Sequence, residues 1–192
     1  DRSGGLHVAY RKILNDSIRD IVYTASVDNG KTFLAPKRIS QDNWVINGCP
    51  HTGPTIGETN RGLSFAWYTL GAGQGVFFAS SDDGGDTFTP KTSIGDKAAG
   101  IHPQILSLDN KTQMIVWDEH IDGGNRIGFQ TRSSNGIVQK RRYLNSNLKW
   151  ASYPVLQLLN HKLSIAYTGR TATGDSEKVY VQTIQLDELV AD

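Results

Sequence analysis

The chain carries arginine, histidine, tyrosine and acidic residues in the polar segments that separate its apolar runs. The planar guanidinium of arginine holds a carboxylate through two parallel hydrogen bonds, so grouped arginines are typical of sites for acidic ligands. An ion pair between neighbouring elements is the competing interpretation of each arginine. The residues with this potential are Arg11, Arg19, Asp20, Trp44, His51, Tyr68, His102, Asp118, Glu119, His120, Arg126, Tyr153 and Arg170.

A metal centre is a weaker interpretation of the same polar residues. His51, His102, Asp118 and His120 are residue types that ligate metals, but the sequence has no paired spacing such as H-x-x-x-H. We therefore expect neither a metal nor another cofactor. The single cysteine, Cys49, excludes an internal disulfide and any multi-cysteine metal site. We interpret it as a small buried hydrophobe rather than as a reactive thiol.

The charge balance excludes two classes of partner. The chain has 20 Lys+Arg and 19 Asp+Glu, a formal net charge of +1. This balance provides no field that would attract nucleic acid or an anionic membrane surface. No apolar stretch approaches the roughly 18 residues of a membrane-spanning helix, so we expect no membrane span.

Two internal repeats indicate how these residues are positioned. Apolar segments that end near an aromatic residue recur at offsets of 57, 50 and 50 residues: Val8–Arg11, Phe65–Tyr68, Ile115–Asp118 and Ile165–Thr168. Proline-containing segments recur in the same register: Gly53–Ile56, His102–Ile105 and Tyr153–Leu156. Each period has strand composition with turn residues between the strands. About four strands in about 50 residues predict a blade of a β-propeller, whereas a two-sheet sandwich would not require a fixed period.

The predicted fold is therefore an all-β propeller with about four blades, at approximately residues 6–40, 53–94, 102–144 and 153–186. We treat 1–192 as a single propeller domain or as a fragment of one. The chain either forms the latter part of a six-bladed propeller or closes as an unusually small ring. We favour the fragment, because open blade edges would expose unpaired strand groups.

The pattern S-x-D-x-G-x-T-F occurs twice, in register with the blades. In such a turn an Asp carboxylate accepts backbone N–H bonds and Gly supplies an unusual backbone conformation. We expect the Phe to fold back under the blade. The residues of the two motifs are Ser26, Asp28, Gly30, Thr32 and Phe33 in the first, and Ser81, Asp83, Gly85, Thr87 and Phe88 in the second.

These motifs resemble the Asp boxes, or bacterial neuraminidase repeats, of sialidases and related propellers. The resemblance covers nearly the whole chain and implies a six-bladed sialidase-type fold. It places the boxes on the face opposite the active site, so they are structural. The segment Asn43–Pro50, followed by Gly53-Pro54, is also similar to bacterial sialidase-like proteins of unassigned substrate.

The resemblance implies roles for the functional face. Sialidases hold the substrate carboxylate with three arginines and use a tyrosine nucleophile, a glutamate that activates it and an aspartate acid/base. The corresponding candidates are Tyr153 as nucleophile and Glu119 as its base, and Asp20 is a further catalytic candidate. Substrate-binding candidates are Arg11, Arg19, Arg126, Arg170, His51, His102 and Trp44.

The sequence departs from the family at two points. The F/Y-R-I-P motif of the first sialidase arginine is absent, since Tyr10-Arg11-Lys12-Ile13 is only superficially similar. No segment carries over the acid/base aspartate residue by residue. His102 and Tyr153 precede prolines, so each could instead simply fix the entry to an extended strand.

Two functions remain open. One is a sialidase-like glycoside hydrolase acting on sialic acid or another acidic glycan. The other is a non-catalytic propeller that binds glycan or protein in a secreted or surface assembly, with other chains completing or packing on the ring. By resemblance, the location is secreted or periplasmic. An intact three-arginine cluster around a Tyr–Glu pair would favour the first function, and scattered arginines would favour the second.

Overall fold

The computed structural model describes residues 1, 3–95, 100–139, 141–144, 147–174 and 176–186. These residues form four antiparallel sheets, which we call sheets I to IV. Sheet I contains β1 (Leu6–Leu14), β2 (Ile18–Ser26) and β3 (Lys37–Arg38). Sheet II contains β4 (Thr55–Thr59), β5 (Gly62–Thr69), β6 (Gly75–Ser81) and β7 (Thr92–Ile94). Sheet III contains β8 (Gly100–Ser107), β9 (Thr112–Ile121), β10 (Gly124–Ser133) and β11 (Arg142–Tyr143). Sheet IV contains β12 (Trp150–Leu159), β13 (Lys162–Arg170) and β14 (Lys178–Gln185).

In each sheet the strands follow one another in chain order, as in the blades of a propeller. The all-β propeller class predicted from the repeats is therefore confirmed. Three of the repeated apolar segments lie in the second strands of sheets II, III and IV (β5, β9 and β13), and the fourth lies in β1, the first described strand of sheet I. In sheets II and III, the loop after the second strand lies at the same end of the sheet as the loop that leads into the next sheet. Residues near the starts of β4, β8 and β12 are therefore brought to one face.

Three apolar layers hold successive sheets together. Because side chains alternate along a strand, β5 directs Phe65 and Trp67 toward sheet I and Ala66 toward sheet III. All three side chains are fully buried. The same alternation in β9 directs Trp117 toward sheet II and Val116 toward sheet IV. Burial on both sides explains why these strands read as nearly continuous apolar runs in the sequence.

The two S-x-D-x-G-x-T-F turns are closed by their own side chains. In the first, the Asp28 carboxylate accepts the Thr32 amide at 2.9 Å and the Thr32 hydroxyl at 2.6 Å. Ser26 donates to the same carboxylate at 2.7 Å and accepts the Gly30 amide at 2.9 Å. The bonds from the hydroxyl and amide of Thr32, followed by that from Ser26, lower the pKa of Asp28 to about 2. Asp83 makes the equivalent bonds with Thr87 and Ser81 in the second turn, and they also lower its pKa.

The phenylalanines of the two turns occupy different environments. Phe88 packs edge-on against Tyr23 and Phe65, in the layer between sheets I and II. Phe33 is 48% exposed and borders an open apolar surface with Val8 and Leu34. The difference arises because Phe88 faces sheet I, whereas the described residues place no sheet over Phe33.

Cys49 lies in the long segment between β3 and β4 and is exposed. The expectation of a small buried side chain is therefore wrong for this residue. The segment around it has little regular structure, so a cysteine here has no apolar layer to enter.

Candidate functional site

A groove of 230 Å³ lies where the first strands of sheets II, III and IV begin. This volume is slightly below the range of about 300–1,000 Å³ that is typical of small-molecule pockets. The groove is therefore suited to one small ring or to one end of a longer ligand. Its lining consists of His51, Thr52, Gly53, His102, Pro103, Gln104, Tyr153, Pro154 and Val155.

Three residues with a left-handed backbone line this groove: His102 in sheet III, Tyr153 in sheet IV, and His51 in the segment that leads into β4 of sheet II. The φ angles of His51, His102 and Tyr153 are 52°, 52° and 57°. The left-handed region is uncommon for residues other than glycine and costs about 1–3 kcal/mol, and such residues cluster at functional sites. The pre-proline rule predicts an extended backbone at His102 and Tyr153, so the structure differs from that expectation.

β-Bulges explain the backbone at His102 and Tyr153. The pairing of β8 with β9 is shifted between Ile101 and Gln104, so that His102 and Pro103 together oppose one residue. β12 has the same shift between Ser152 and Val155. A bulge changes the direction of a side chain and tolerates a proline, because the extra residue makes no ladder hydrogen bond. The two bulges thus turn an imidazole and a phenol toward the groove.

Asp118 holds His102 and Tyr153 together. Its carboxylate oxygen Oδ1 lies 2.8 Å from Nδ1 of His102 and accepts the backbone amide of Tyr153 at 3.3 Å. Asp118 is 1% exposed, whereas Tyr153 is 56% exposed. The rings of His102 and Tyr153 lie 4.2 Å apart between centroids, with an interplanar angle of 38°. A buried carboxylate, an imidazole and an open phenol ring therefore form one connected group across sheets III and IV.

The other groove wall rests on Arg11 and Trp44. The Arg11 guanidinium donates to the carbonyls of Arg19 at 2.9 Å and Tyr68 at 2.7 Å, and it lies 4.8 Å from the centre of the Trp44 ring. A longer contact of 3.5 Å reaches the carbonyl of Thr52, which lines the groove. Burial lowers the pKa of Arg11. Trp44 itself is 6% exposed, so it supports the wall from below.

Arg19 and Asp20 are held by contacts within the protein. Arg19 donates from Nε to the carbonyl of Ile46 at 3.0 Å. Asp20 is fully buried, forms an ion pair with Arg38, and accepts the amides of Asn43 at 3.1 Å and Trp44 at 3.2 Å. These donors occupy both oxygens of the Asp20 carboxylate.

Glu119 lies on the opposite side of β9 from Tyr153. Neighbouring residues in a strand face opposite ways, and Asp118 is the one that faces sheet IV. Glu119 is fully buried, where it accepts the Tyr143 hydroxyl at 2.8 Å and lies 3.4 Å from Nη1 of Arg141. The Tyr–Glu pair described by the structure is therefore Tyr143–Glu119, not Tyr153–Glu119.

Arg126 and Arg170 lie at the rim of the same face. Arg126 is 3.4 Å from Asp122 in an exposed i,i+4 pair. Arg170 lies 5.3 Å from the ring of Trp150, which is also next to His120. Among the described contacts, those of Arg11, Arg19, Arg126 and Arg170 do not converge on a common point.

The described residues include no group of three or more His, Cys, Asp or Glu side chains that could hold a metal ion. His102 and Asp118 are together, but the His120 ring bonds to Asn125 at 3.0 Å instead. No described helix is long and apolar enough to cross a membrane.

The sequence indicated Asp118 as a polar residue of the functional face and as one of four residues of a metal-ligating type. Its link to His102 and Tyr153 was missed, since it joins residues in different sheets. The available signal was a substitution within the repeat, because Asp118 occupies the position held by Arg11, Tyr68 and Thr168 in the other sheets.

No protein-family model matches the sequence, and a search of curated proteins found no significant match. Solved structures do match. The GH93 α-L-arabinofuranosidase of Fusarium graminearum, in complex with arabinobiose, has a TM-score of 0.64 at 16% identity, over 96% of this chain and 60% of that chain. The NanB sialidase from Streptococcus pneumoniae has a TM-score of 0.55 at 21% identity, over 88% of this chain and 27% of that one. The Hadza microbial sialidase Hz136 has a TM-score of 0.59 at 17% identity, over 94% and 42%.

These likenesses confirm the sialidase-like β-propeller fold. The chain spans about three fifths of the length of the arabinofuranosidase and less of the two sialidases. At these identities the likeness defines the architecture, whereas the chemistry must be argued from the groove.

Proposed function

We propose that the protein is a glycoside hydrolase whose sugar site includes the groove between His51, His102 and Tyr153. One observation carries the proposal: His51, His102 and Tyr153 all have a strained left-handed backbone, and their side chains line the same opening. The similar solved structures, named as an arabinofuranosidase and two sialidases, support a sugar as the ligand class.

The exposed ring of Tyr153 is suited to sugar binding. Its 56% exposure leaves apolar ring surface available to a ligand, while the imidazole of His102 packs beside it. An aromatic ring contributes apolar contact area together with a polar hydroxyl. We propose that Tyr153 contacts the sugar through its ring, and removal of its hydroxyl tests the nucleophile role that the resemblance implies.

An acidic sugar, sialic acid first among the candidates, is the finer proposal. Arg11 lies behind the Thr52 wall, and none of the described ion pairs includes it, although Asp42 and Asp20 act on its charge from nearby. Its positive charge would favour a carboxylate in the groove. The contacts of Arg19, Arg126 and Arg170 hold them in separate places, so they do not form a carboxylate clamp with Arg11. Neutral sugars are therefore tested beside acidic ones. A secreted or periplasmic location is part of this proposal.

The test is hydrolysis of a panel of fluorogenic glycosides by the full chain, including a sialoside, an α-L-arabinofuranoside and a uronide. Two variants identify the part of Tyr153 that acts: Tyr153→Phe removes the hydroxyl, and Tyr153→Ala removes the ring as well. Loss of turnover in both assigns a role to the hydroxyl, whereas loss only in Tyr153→Ala assigns one to the ring. Wild-type turnover that neither variant changes would remove Tyr153 from the site.

A non-catalytic glycan-binding propeller is the second candidate. The scattered arginines favour it, because they offer no convergent grip on a substrate carboxylate. A folded wild-type chain without turnover on the panel, but with saturable oligosaccharide binding that Tyr153→Ala weakens, would select this function over hydrolysis.

A further inference from the structure

We propose that His102 transfers the reaction proton in the groove and that Asp118 positions its imidazole, with Tyr153 contributing its ring. This inference rests on the proposed hydrolase function. It departs from the roles implied by resemblance, in which Tyr153 and Glu119 form the reacting pair.

Asp118 occupies one of the two ring nitrogens of His102. Nδ1 lies 2.8 Å from the carboxylate oxygen of Asp118. When Asp118 is ionised its carboxylate can only accept, and the imidazole then carries its proton on Nδ1 as the donor of this hydrogen bond. Nε2 is then the nitrogen that can take up or release a proton, which is the arrangement of a carboxylate-oriented general base.

Asp118, the bulge and the ring of Tyr153 hold the imidazole of His102 in place. Asp118 is 1% exposed and binds both His102 and the amide of Tyr153. A bulge fixes the backbone at His102, and the ring of Tyr153 covers one side of the imidazole. Such restraint is what a proton-transfer group requires, because its efficiency depends on a fixed geometry.

The position of Glu119 excludes it as the base for Tyr153. Glu119 is fully buried on the other side of β9 and accepts the hydroxyl of Tyr143. The ring centroids of His102 and Tyr153 are 4.2 Å apart with an interplanar angle of 38°, so the imidazole packs against the ring of Tyr153 and is too close to its centre to lie in line with the O–H bond. Water in the open groove is therefore the nucleophile that His102 can activate.

The proposed hydrolysis exchanges one bond at the anomeric carbon and moves one proton through His102. Nε2 of His102 accepts a proton from water as the water oxygen bonds to the anomeric carbon. The bond from that carbon to the leaving oxygen breaks, and its electron pair stays on the leaving oxygen. With an aryl glycoside the leaving group departs as a phenolate, and with a sugar leaving group the oxygen takes a proton from solvent. The imidazolium then returns its proton to water.

The backbone at His102 permits a sharp test. Glycine adopts a φ of 52° without strain, so His102→Gly removes the imidazole, leaves the bulge intact and opens a space for free imidazole. His51→Gly is the matched control, because position 51 is also a histidine with a φ of 52° and lines the same groove. Among the described contacts, His51 has no carboxylate partner.

For the glycoside that the wild type hydrolyses best, we expect kcat of His102→Gly to fall about 10²–10⁴-fold, the usual contribution of general acid–base catalysis. Added imidazole should restore part of this kcat and should not raise that of His51→Gly. A loss below tenfold, a lack of rescue or an equal rescue of His51→Gly would overturn the role of His102. A wild type without turnover on the whole panel would overturn the proposed hydrolase instead.

Asp118→Asn tests the positioning role and also covers the case in which His102→Gly does not fold. We expect kcat to fall at least tenfold while KM changes less than threefold, and the pH dependence of kcat/KM to change shape. A residue with a purely structural role would lower the amount of folded protein without altering the pH profile of the remainder. An unchanged profile and kcat in the folded Asp118→Asn variant would overturn the proposal.

Discussion

Removal of the Asp20 carboxylate gives the clearest test of whether this residue is structural or catalytic. Asp20→Ala removes the acceptor of the backbone amides of Asn43 and Trp44 and the carboxylate partner of the Arg38 guanidinium. Hydrogen bonds to a charged group each cost about 1.5–3 kcal/mol when they are broken, and Asp20 accepts three of them; the Arg38 side chain is 30% exposed, so its remaining charge can be hydrated. Because the three donors share one carboxylate, these costs overlap rather than add, and we expect a loss of about 3–5 kcal/mol in the free energy of unfolding.

Urea unfolding followed by tryptophan fluorescence measures this loss. With a slope of about 2 kcal/mol per M, the midpoint should fall by about 1.5–2.5 M. Asp86→Ala is the matched control, because the side chains of the Lys37–Asp86 pair are 46% and 77% exposed, and its removal should cost no more than about 1 kcal/mol. A change below about 1 kcal/mol in Asp20→Ala, at an unchanged slope, would refute the structural reasoning and return Asp20 to the list of candidate acids.

Three further predictions concern the sheets and turns. Asp28→Asn should destabilise the protein above about pH 4, and the difference from wild type should shrink as the pH falls through about 2, because Asp28 has a lowered folded-state pKa of about 2; urea midpoints at a series of pH values measure this. Gly85→Ala should cost about 2–4 kcal/mol, because a Cβ there would lie 1.9 Å from the ring of Tyr23, whereas Gly84→Ala meets no atom within 4 Å and should cost about 1 kcal/mol; thermal unfolding of the pair measures the difference. Arg11→Lys should lower the free energy of unfolding by about 1–3 kcal/mol, because one ammonium cannot replace two donors that reach separate strands; urea unfolding measures this change.

Each of these predictions has an outcome that would contradict it. A pH-independent effect of Asp28→Asn would show that its hydrogen bonds do not depend on ionisation. Equal losses in Gly85→Ala and Gly84→Ala would mean that Tyr23 moves aside without cost. An unchanged urea midpoint in Arg11→Lys would mean that water replaces the guanidinium as the hydrogen-bond donor to the carbonyls of Arg19 and Tyr68.

The turns illustrate what local sequence predicts well. Ser26, Asp28 and Thr32 lie within seven residues, and their hydrogen bonds join groups at most four positions apart. The chemistry of such a turn can be read from the sequence, because no other part of the chain is needed to form it. The environments of Phe33 and Phe88 could not be read in the same way, since they depend on whether another sheet lies opposite.

The candidate site was predictable in its location but not in its pairing. The repeat placed His102 and Tyr153 at equivalent positions on one face, and the structure brings them within stacking distance. The sequence did not show that Asp118 rather than Glu119 faces Tyr153. That choice depends on which side of β9 meets sheet IV, and both neighbours are acidic, so their types did not distinguish them.

The sequence by itself determined the all-β propeller architecture, because a period near 50 residues and the alternation of apolar side chains are local properties of the chain. Only the tertiary structure decided the chemistry of the groove. The left-handed backbone of His102 and Tyr153 contradicts the local preference before proline, and it persists where bulges and Asp118 hold it. Asp118 and Tyr153 are 35 residues apart in the chain, and only the packing of sheet III against sheet IV brings them together.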